Sequence, residues 1–568
     1  MANIPSTVNV AEYLFIRLRQ LGCLSLHGLP GDFNLLALDF ARPSGLTWVG
    51  SCNELNAGYA ADGYARIRGL GAILTTFGVG ELSALNAIAG SYAELAPVVH
   101  IVGQPSRETQ NSGALVHHTL GNGDFKTFSK IYETVTIAHT NLVDPTAAPS
   151  QIDHVLQACI VGSRPVYIGL PTDMVTQPVD AELLQTPIDV NYHKSEPEAE
   201  TMALEIILNR LYKANRPVLL IDGAVERRRL IEDTSQLIRR LEIPVFVAPM
   251  GKGSVDENLP NFVGVYSGDG SRHDIQKAFE SSDMILTIGN IKSDLNTSGF
   301  TYQFSKFSTI DIHYDHVDVG YAHFGQVFVR SMLPRLVAAV DPMQLSRSAK
   351  IMPTIKAAPL VTPKDDVISH AWFWPRMSHF LQEGDLVVAE TGTSYIGGWE
   401  LKLPKGARII NQMLWSSIGY GVGSTQGVAL AVKDGATGQR TISFEGDGSF
   451  QLTAQELATI IHHKLDVTMF LIENGGYTIE RFVHGLEAHY NDIPQWQYSK
   501  LPGILAPAGQ EAQIQTWKIS SRRELDALLR DEAFASGRGL QFVEVHMPKL
   551  DAPQVLIDFG KGAGARVG

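Results

Sequence analysis

Short apolar runs recur along the chain at 72–77, 97–102, 165–170, 218–222, 243–248, 284–289, 386–390, 441–444, 467–472 and 542–546, separated by stretches long enough for helices. Most are rich in Val and Ile and stop at Gly, Pro or Asp. Continuous apolar runs, in place of strict apolar–polar alternation, predict strands covered on both faces, as in the parallel sheets of α/β units. In such sheets ligands sit beyond the carboxyl ends of strands. The residues that follow each run are therefore the first place to look for chemistry.

Two stretches interrupt the series. Residues 186–201 (TPIDVNYHKSEPEAET) are polar and acidic, and 341–366 carry Pro342, Pro353, Pro359 and Pro363 without periodicity. Cutting there divides the 568 residues into 1–188, 195–345 and 362–568. At roughly 150 residues per domain three such units are a reasonable count. The predicted architecture is three doubly wound parallel-sheet α/β domains. No short repeat is present, and any kinship between the first and third segments is not legible.

Composition narrows the function classes. The chain is 44% hydrophobic and 18% charged, an ordinary globular make-up. Its net charge of −13 argues against nucleic acid, which calls for a basic stripe. No apolar run approaches the ~18 residues of a membrane span, and the first residues lack the basic-then-apolar order of a signal peptide. Cys23, Cys52 and Cys159 are odd in number and far apart, so they suggest neither disulfides nor a CxxC metal site. A reducing, cytoplasmic setting is expected.

The strand predicted at 441–444 runs into Gly446-Asp447-Gly448-Ser449, and the one at 467–472 into Glu473-Asn474-Gly475-Gly476. Asp447 and Asn474 are 27 positions apart and follow successive strands, so their oxygens can converge. A carboxylate, an amide oxygen and a backbone carbonyl make a hard-oxygen half-shell suited to Mg²⁺, which diphosphate and water would complete. A second Gly268-Asp269-Gly270 follows no apolar strand and has no matching Asn-Gly. Thr453 and Glu456 have capping-box spacing for the helix after Gly448. Near the N-terminus, Asp32 lies on a Gly/Pro turn, Glu54 near a helix start, and His117-His118 in a Gly-rich loop.

Taken together these blocks resemble the thiamine-diphosphate-dependent 2-oxo acid decarboxylases, most closely the fungal pyruvate decarboxylase type. The resemblance rests on Gly-Asp-Phe-Asn at 31–34, Asn-Glu-Leu-Asn-Ala at 53–57, Thr-Thr-Phe-Gly-Val-Gly-Glu-Leu-Ser-Ala at 75–84, His-His-Thr-Leu-Gly-Asn-Gly-Asp-Phe at 117–125 and Gly-Tyr-Thr-Ile-Glu at 476–480, in that order. It spans nearly the whole chain and implies pyrimidine-binding, central and diphosphate-binding domains. It implies non-oxidative decarboxylation of a 2-oxo acid, pyruvate first, to an aldehyde and CO₂ through an ylid and an enamine. Glu54 would hold the aminopyrimidine. Asp32, His117, His118 and Glu480 would handle protons and orient substrate. Thr391 and Thr393 would contact the pyrimidine, and Ser416 and Ile418 would lie beneath the thiazolium. Gly446, Asp447, Gly448 and Ser449 would meet the diphosphate, while Asp447, Asn474 and the Gly476 carbonyl would bind Mg²⁺. Ile479 and Val483 would supply an apolar wall. The resemblance further implies a homodimer or homotetramer whose active sites join two subunits.

The match departs at Glu473 and Gly475, where the family's closing motif has Asn and, in pyruvate decarboxylases, Asp. Leu295 stands where a Phe usually narrows the pocket, and Tyr395 where a small residue is common. No cysteine lies in 220–225 and Leu95 replaces a His, so activation through that cysteine is not expected. Decarboxylases of branched-chain or aromatic 2-oxo acids, and an acyloin-forming carboligase, remain the alternatives.

Overall fold

A computed structural model describes residues 5–190, 194–355 and 365–558. All ten apolar runs are strands within it, and every pairing among them is parallel. The centres of both expected linkers, 191–193 and 356–364, lie outside the described residues.

Three sheets organise the chain. The first runs Thr47–Gly50, Ser25–Gly28, Gly71–Thr76, Val98–Gln104, Val166–Pro171, His139–Asn141, all parallel. The third runs Arg408–Ile410, Leu386–Ala389, Thr441–Gly446, Val467–Glu473, Leu540–His546, Ile514–Ile519, also all parallel. Numbered within each sheet, both orders are 2-1-3-4-6-5. The kinship that the sequence left open is therefore plain in the topology. In each, the order reverses between strands 1 and 3, which opens a crevice at their carboxyl ends. Those ends carry His27–Gly28 and Thr76 in the first domain, and Glu390 and Asp447 in the third.

The central sheet runs Phe262–Val265, Val245–Val247, Pro217–Ile221, Met284–Ile288, Thr309–Ile312, His316–Val319, Ala322–Gly325. Its last two strands are antiparallel. A purely parallel sheet was expected; the turn after Ile312 is too short for a crossover, so the chain can only return antiparallel. Thr7–Asn9 and Pro178–Asp180 form a further small antiparallel pair.

The first and third domains meet through two helices. Glu54–Arg68 is capped by Asn53, whose side chain accepts from Asn56 N, and ends at Gly69 with φ +88°. It lies against Tyr420–Gly435. A Cβ at Gly427 would collide with the Ala60 carbonyl and one at Gly423 would come within 2.8 Å of Tyr59 Cβ, so the backbones touch at small residues. Tyr59, Ala87, Leu386, Val388, Tyr420 and Val428 close a shared apolar core around them. Within it, buried Asp62 accepts from Arg66, Ser91 and Tyr420.

One local expectation fails. The helix after the strand Thr441–Gly446 begins at Asp447 itself, and Thr453 is its last residue. Thr453 Oγ1 donates to the Gly419 carbonyl, and Glu456 accepts from Cys52 N across the domain contact. Both side chains serve long-range contacts that compete with a local cap.

Candidate active site

The first cluster is assembled around the turn after Gly71–Thr76. Asp32 Oδ2 is hydrogen-bonded to His117 Nε2, and Asp32 Oδ1 lies 3.8 Å from His118 Nε2. Phe33 stacks on the His117 ring at 5.0 Å and 8°. His118 holds φ +64°, and its carbonyl sits where a Cβ on Gly78 would be, so only glycine fits at 78. Gly80, in the same segment, faces Glu54 Oε1, 3.0 Å from an added Cβ. One turn thus brings together groups separated by many residues in sequence.

Glu54 occupies the first turn of its helix and is half-buried. Burial raises its pKa, opposed only by its own backbone amide. Among the described residues no cation or side-chain donor meets it. A half-buried carboxyl without a protein partner is suited to a ligand's ring nitrogen.

The second cluster is built on the third sheet. Asp447 is 1% exposed. Its Oδ2 accepts from the amides of Asn474, Gly475 and Gly476 at 3.2, 2.7 and 3.2 Å, and its Oδ1 from Gly448 N at 2.7 Å. Burial pushes its pKa up to about 6 while these amides pull it down, and Glu473 adds a further upward push. Among the described residues no basic side chain pairs with it, so a divalent cation would supply the missing positive charge. Asn474 Nδ2 donates to Thr478 Oγ1 at 2.8 Å, which leaves the amide oxygen for a cation. Gly476 holds φ +129° with the Asn491 carbonyl where a Cβ would lie, so its carbonyl can be placed only by glycine. The donor set fits Mg²⁺.

Around that cradle, Ser449 Oγ lies 3.5 Å from the Thr391 carbonyl, and Thr391 Oγ1 3.4 Å from the Ser417 carbonyl. Thr393 opens a short buried helix, and no atom lies within 4 Å of a Cβ placed on Gly392. Ser416 is in the left-handed region at φ +54°, and Ile418 beside it is half-buried. Glu480 is exposed on the helix Thr478–Val483. Ile479 lines a small apolar cavity with Leu295, Tyr395, Trp399, Val555 and Leu556; Val483 does not line it. The unusual Leu295 and Tyr395 thus face the same space.

Three functional groups escaped the sequence reading. Glu390, wholly buried, accepts from the amides of Thr391, Gly419 and Gly421, tying the loop at Thr391 to the segment that ends at Gly421. Burial pushes it up to about 7, and Glu445 beside it is held well above the ordinary carboxyl range by the same burial and by Glu390. A lone acid ending an apolar run is the only signal that could have marked Glu390. Glu94, 0% exposed, accepts from Leu414 N and Trp415 N at 2.6 and 3.1 Å and pairs with Arg227 of the central domain at 2.8 Å. It anchors the segment leading to Ile418. Replacing it with Ala leaves buried Arg227 with only the more distant Glu226, at 3.9 Å, and a loss of about 3 kcal/mol is expected in denaturant unfolding; an unmoved midpoint would show that Glu94 anchors nothing.

Glu473 also acquires a physical account. It lies opposite His546 in the strand register, and its Oε2 is 2.5 Å from His546 Nδ1, while His546 Nε2 is 2.8 Å from Glu544 Oε1. The hydrogen bond that His546 donates to Glu473 raises the His546 pKa against burial. A raised folded pKa means that the contribution is full below the unfolded value near 6.5 and fades as pH climbs through the elevated folded value. The thermal midpoint of His546→Gln should therefore fall below that of the parent protein at pH 6 and approach it at pH 9. A gap that widens with pH would reverse the assignment.

Comparison with known proteins agrees with this geometry. Residues 8–127 match the thiamine pyrophosphate enzyme N-terminal TPP binding domain, 204–339 the central domain and 390–545 the C-terminal TPP binding domain. The chain is 47% identical over 562 residues to a pyruvate decarboxylase of Aspergillus fumigatus, covering 98% of this chain and 97% of that one. It is 41% identical to pyruvate decarboxylase isozyme 3 of Saccharomyces cerevisiae, covering 97% and 98%. Among solved structures, a thiamine diphosphate-dependent 4-hydroxybenzoylformate decarboxylase of Rhodococcus jostii superposes with a TM-score of 0.75 at 19% identity, over 95% of this chain and 99% of that one, and so shares the fold.

Proposed function

The chain belongs to the thiamine pyrophosphate enzymes, and on that premise we propose that its two clusters are the halves of a pyruvate decarboxylase site. It is a carboxy-lyase that converts pyruvate to acetaldehyde and CO₂ with thiamine diphosphate. When bound, the thiazolium supplies the electron sink that a 2-oxo acid lacks. Asp447, Asn474 and the Gly476 carbonyl hold Mg²⁺, and Gly446, Gly448 and Ser449 receive the diphosphate. Glu54 hydrogen-bonds a pyrimidine nitrogen, its half-buried carboxyl suited to sharing a proton. Thr391 and Thr393 border the pyrimidine, and Ser416 and Ile418 support the thiazolium from below. Asp32, His117 and His118 form the proton relay, and Glu480 meets the substrate carboxylate. Ile479 keeps the pocket apolar, which disfavours a carboxylate and favours its loss as CO₂.

The observation that carries the oligomeric reading is exposure. The side chains of Asp32 and His117 are 47% and 57% exposed, and Glu480 is exposed too. Val79, Leu82, Leu115 and Leu120 on the first domain, and Leu414, Trp415 and Leu452 on the third, are large apolar side chains left in solvent. Partial burial and dry surroundings, which the chemistry needs, come from a second subunit whose diphosphate half meets this chain's pyrimidine half. The unit is a homodimer or a dimer of dimers, with domains at 1–188, 195–345 and 362–568. Three free cysteines suit a reducing cytosol, and no described helix is long and apolar enough to cross a membrane.

The test is aldehyde release from pyruvate, 2-oxoisovalerate, phenylpyruvate and indolepyruvate with thiamine diphosphate and Mg²⁺. Pyruvate turnover that needs both cofactors is the expected result. A larger acid turned over faster would reassign the pocket that Leu295 and Tyr395 border. Pyruvate consumed without aldehyde would identify a carboligase.

A further inference from the structure

The antiparallel edge of the central sheet carries a cluster unrelated to the decarboxylation site. Strand periodicity sorts its residues onto two faces. Ile310, Ile312, Val317 and Val319 point into the central core. Asp311, Asp318 and His323 lie directly opposite one another across three strands. His316, two residues before Asp318, falls on that same outer face, and His313 reaches it from the turn. The turn is tight, with His313 N donating to the His316 carbonyl at 3.0 Å, and it stacks the two rings at 4.3 Å. The His323 ring lies 4.9 Å from that of His316.

His313, His316 and Asp318 each present a ligand atom, all within 4.8 Å of one another. Asp311 is already engaged, by Thr287 and Asn290 on one oxygen and by Lys292 at 2.9 Å on the other. The surrounding carboxylates orient the rings. His316 Nδ1 is 2.8 Å from Asp315 Oδ1, and His323 Nδ1 is 2.8 Å from Asp318 Oδ1. A carboxylate on Nδ1 fixes the proton there and leaves the Nε2 lone pair free, which is the outer-sphere arrangement of histidine metal ligands.

We propose that His313, His316 and Asp318, with His323 braced behind Asp318, form a second cation site that takes a nitrogen-preferring divalent ion of the Zn²⁺ class, and that this ion staples the edge hairpin to the sheet. Two imidazoles and one carboxylate suit Zn²⁺ and its neighbours far better than Mg²⁺, which requires an oxygen shell. The site is thus chemically distinct from the oxygen cradle at Asp447.

The test uses the holoenzyme saturated with thiamine diphosphate and Mg²⁺, dialysed to equilibrium against micromolar Zn²⁺, with both metals then counted. One Zn²⁺ per chain is expected, with Mg²⁺ retained. The double variant His313→Gln, His316→Gln should lose that zinc while keeping the parent's pyruvate turnover, which shows it to be folded. The milder Asp315→Asn, which removes only the brace on His316, should weaken zinc binding roughly 10–100-fold. Equal zinc content in the parent and the double variant would overturn the proposal, as would zinc that is lost instead in His117→Gln, since that would assign the ion to the catalytic histidines. The binding readout is independent of substrate, so it stands even if pyruvate is not the acid turned over.

Discussion

Glu54→Gln should cut the rate of aldehyde release from pyruvate roughly a hundredfold or more, the scale of an essential proton-transfer partner. The substitution keeps volume and the helix start, which is capped by Asn53 and not by Glu54. Among the described residues no other side chain pairs with Glu54, so fold and midpoint should be unchanged. What is lost is a carboxyl whose pKa burial has raised and which can therefore share a proton with a ring nitrogen; an amide can hydrogen-bond that nitrogen but cannot exchange a proton with it. Calorimetry should find cofactor binding weakened far less than turnover. A variant with near-parental kcat would remove Glu54 from the mechanism.

Asp447→Ala should abolish Mg²⁺-dependent cofactor retention. The carboxylate is the charged member of the proposed ligand set, and it also collects the amides of Asn474, Gly475 and Gly476 onto one oxygen. Its removal takes away the cation's counter-charge and releases the turn that carries the other two ligands. Asp447→Asn separates these effects. It keeps an acceptor for the amides but no charge, so the turn should hold while metal affinity still falls. Titration calorimetry with thiamine diphosphate, with and without Mg²⁺, reads both. Cofactor binding by Asp447→Ala that is unchanged and still responds to Mg²⁺ would sink the ligand assignment.

The meeting of Asp447 with the turn at Asn474 was legible because its parts are local. Two strand ends, each with its own apolar run, carry Asp447 and Asn474, and neighbouring parallel strands leave little freedom in where those ends fall. The Asp32–His117–His118 group was legible only through resemblance. Its members are 85 residues apart at the Asp32–His117 contact, and nothing in either segment's periodicity refers to the other. Glu390 and Glu445 were passed over because a carboxyl inside an apolar run reads as a strand end until its burial and its amide partners are seen. Thr453 and Glu456 misled for the converse reason: the spacing of a capping box is a local pattern, and partners distant in sequence, Gly419 and Cys52, outcompeted it.

By itself the sequence determined the ten parallel strands, the α/β class and the order of the cofactor-binding blocks, since these follow from burial and turn chemistry over a few consecutive residues. Only the tertiary structure decided what depends on which strands become neighbours. That includes the shared 2-1-3-4-6-5 order of the first and third domains, the antiparallel edge that gathers His313, His316 and Asp318, the pairing of Glu473 with His546, and the anchoring of Leu414 and Trp415 by Glu94. Strand register and domain contact are set by packing across the whole chain, and a side chain's partner at long range leaves no trace in the residues beside it.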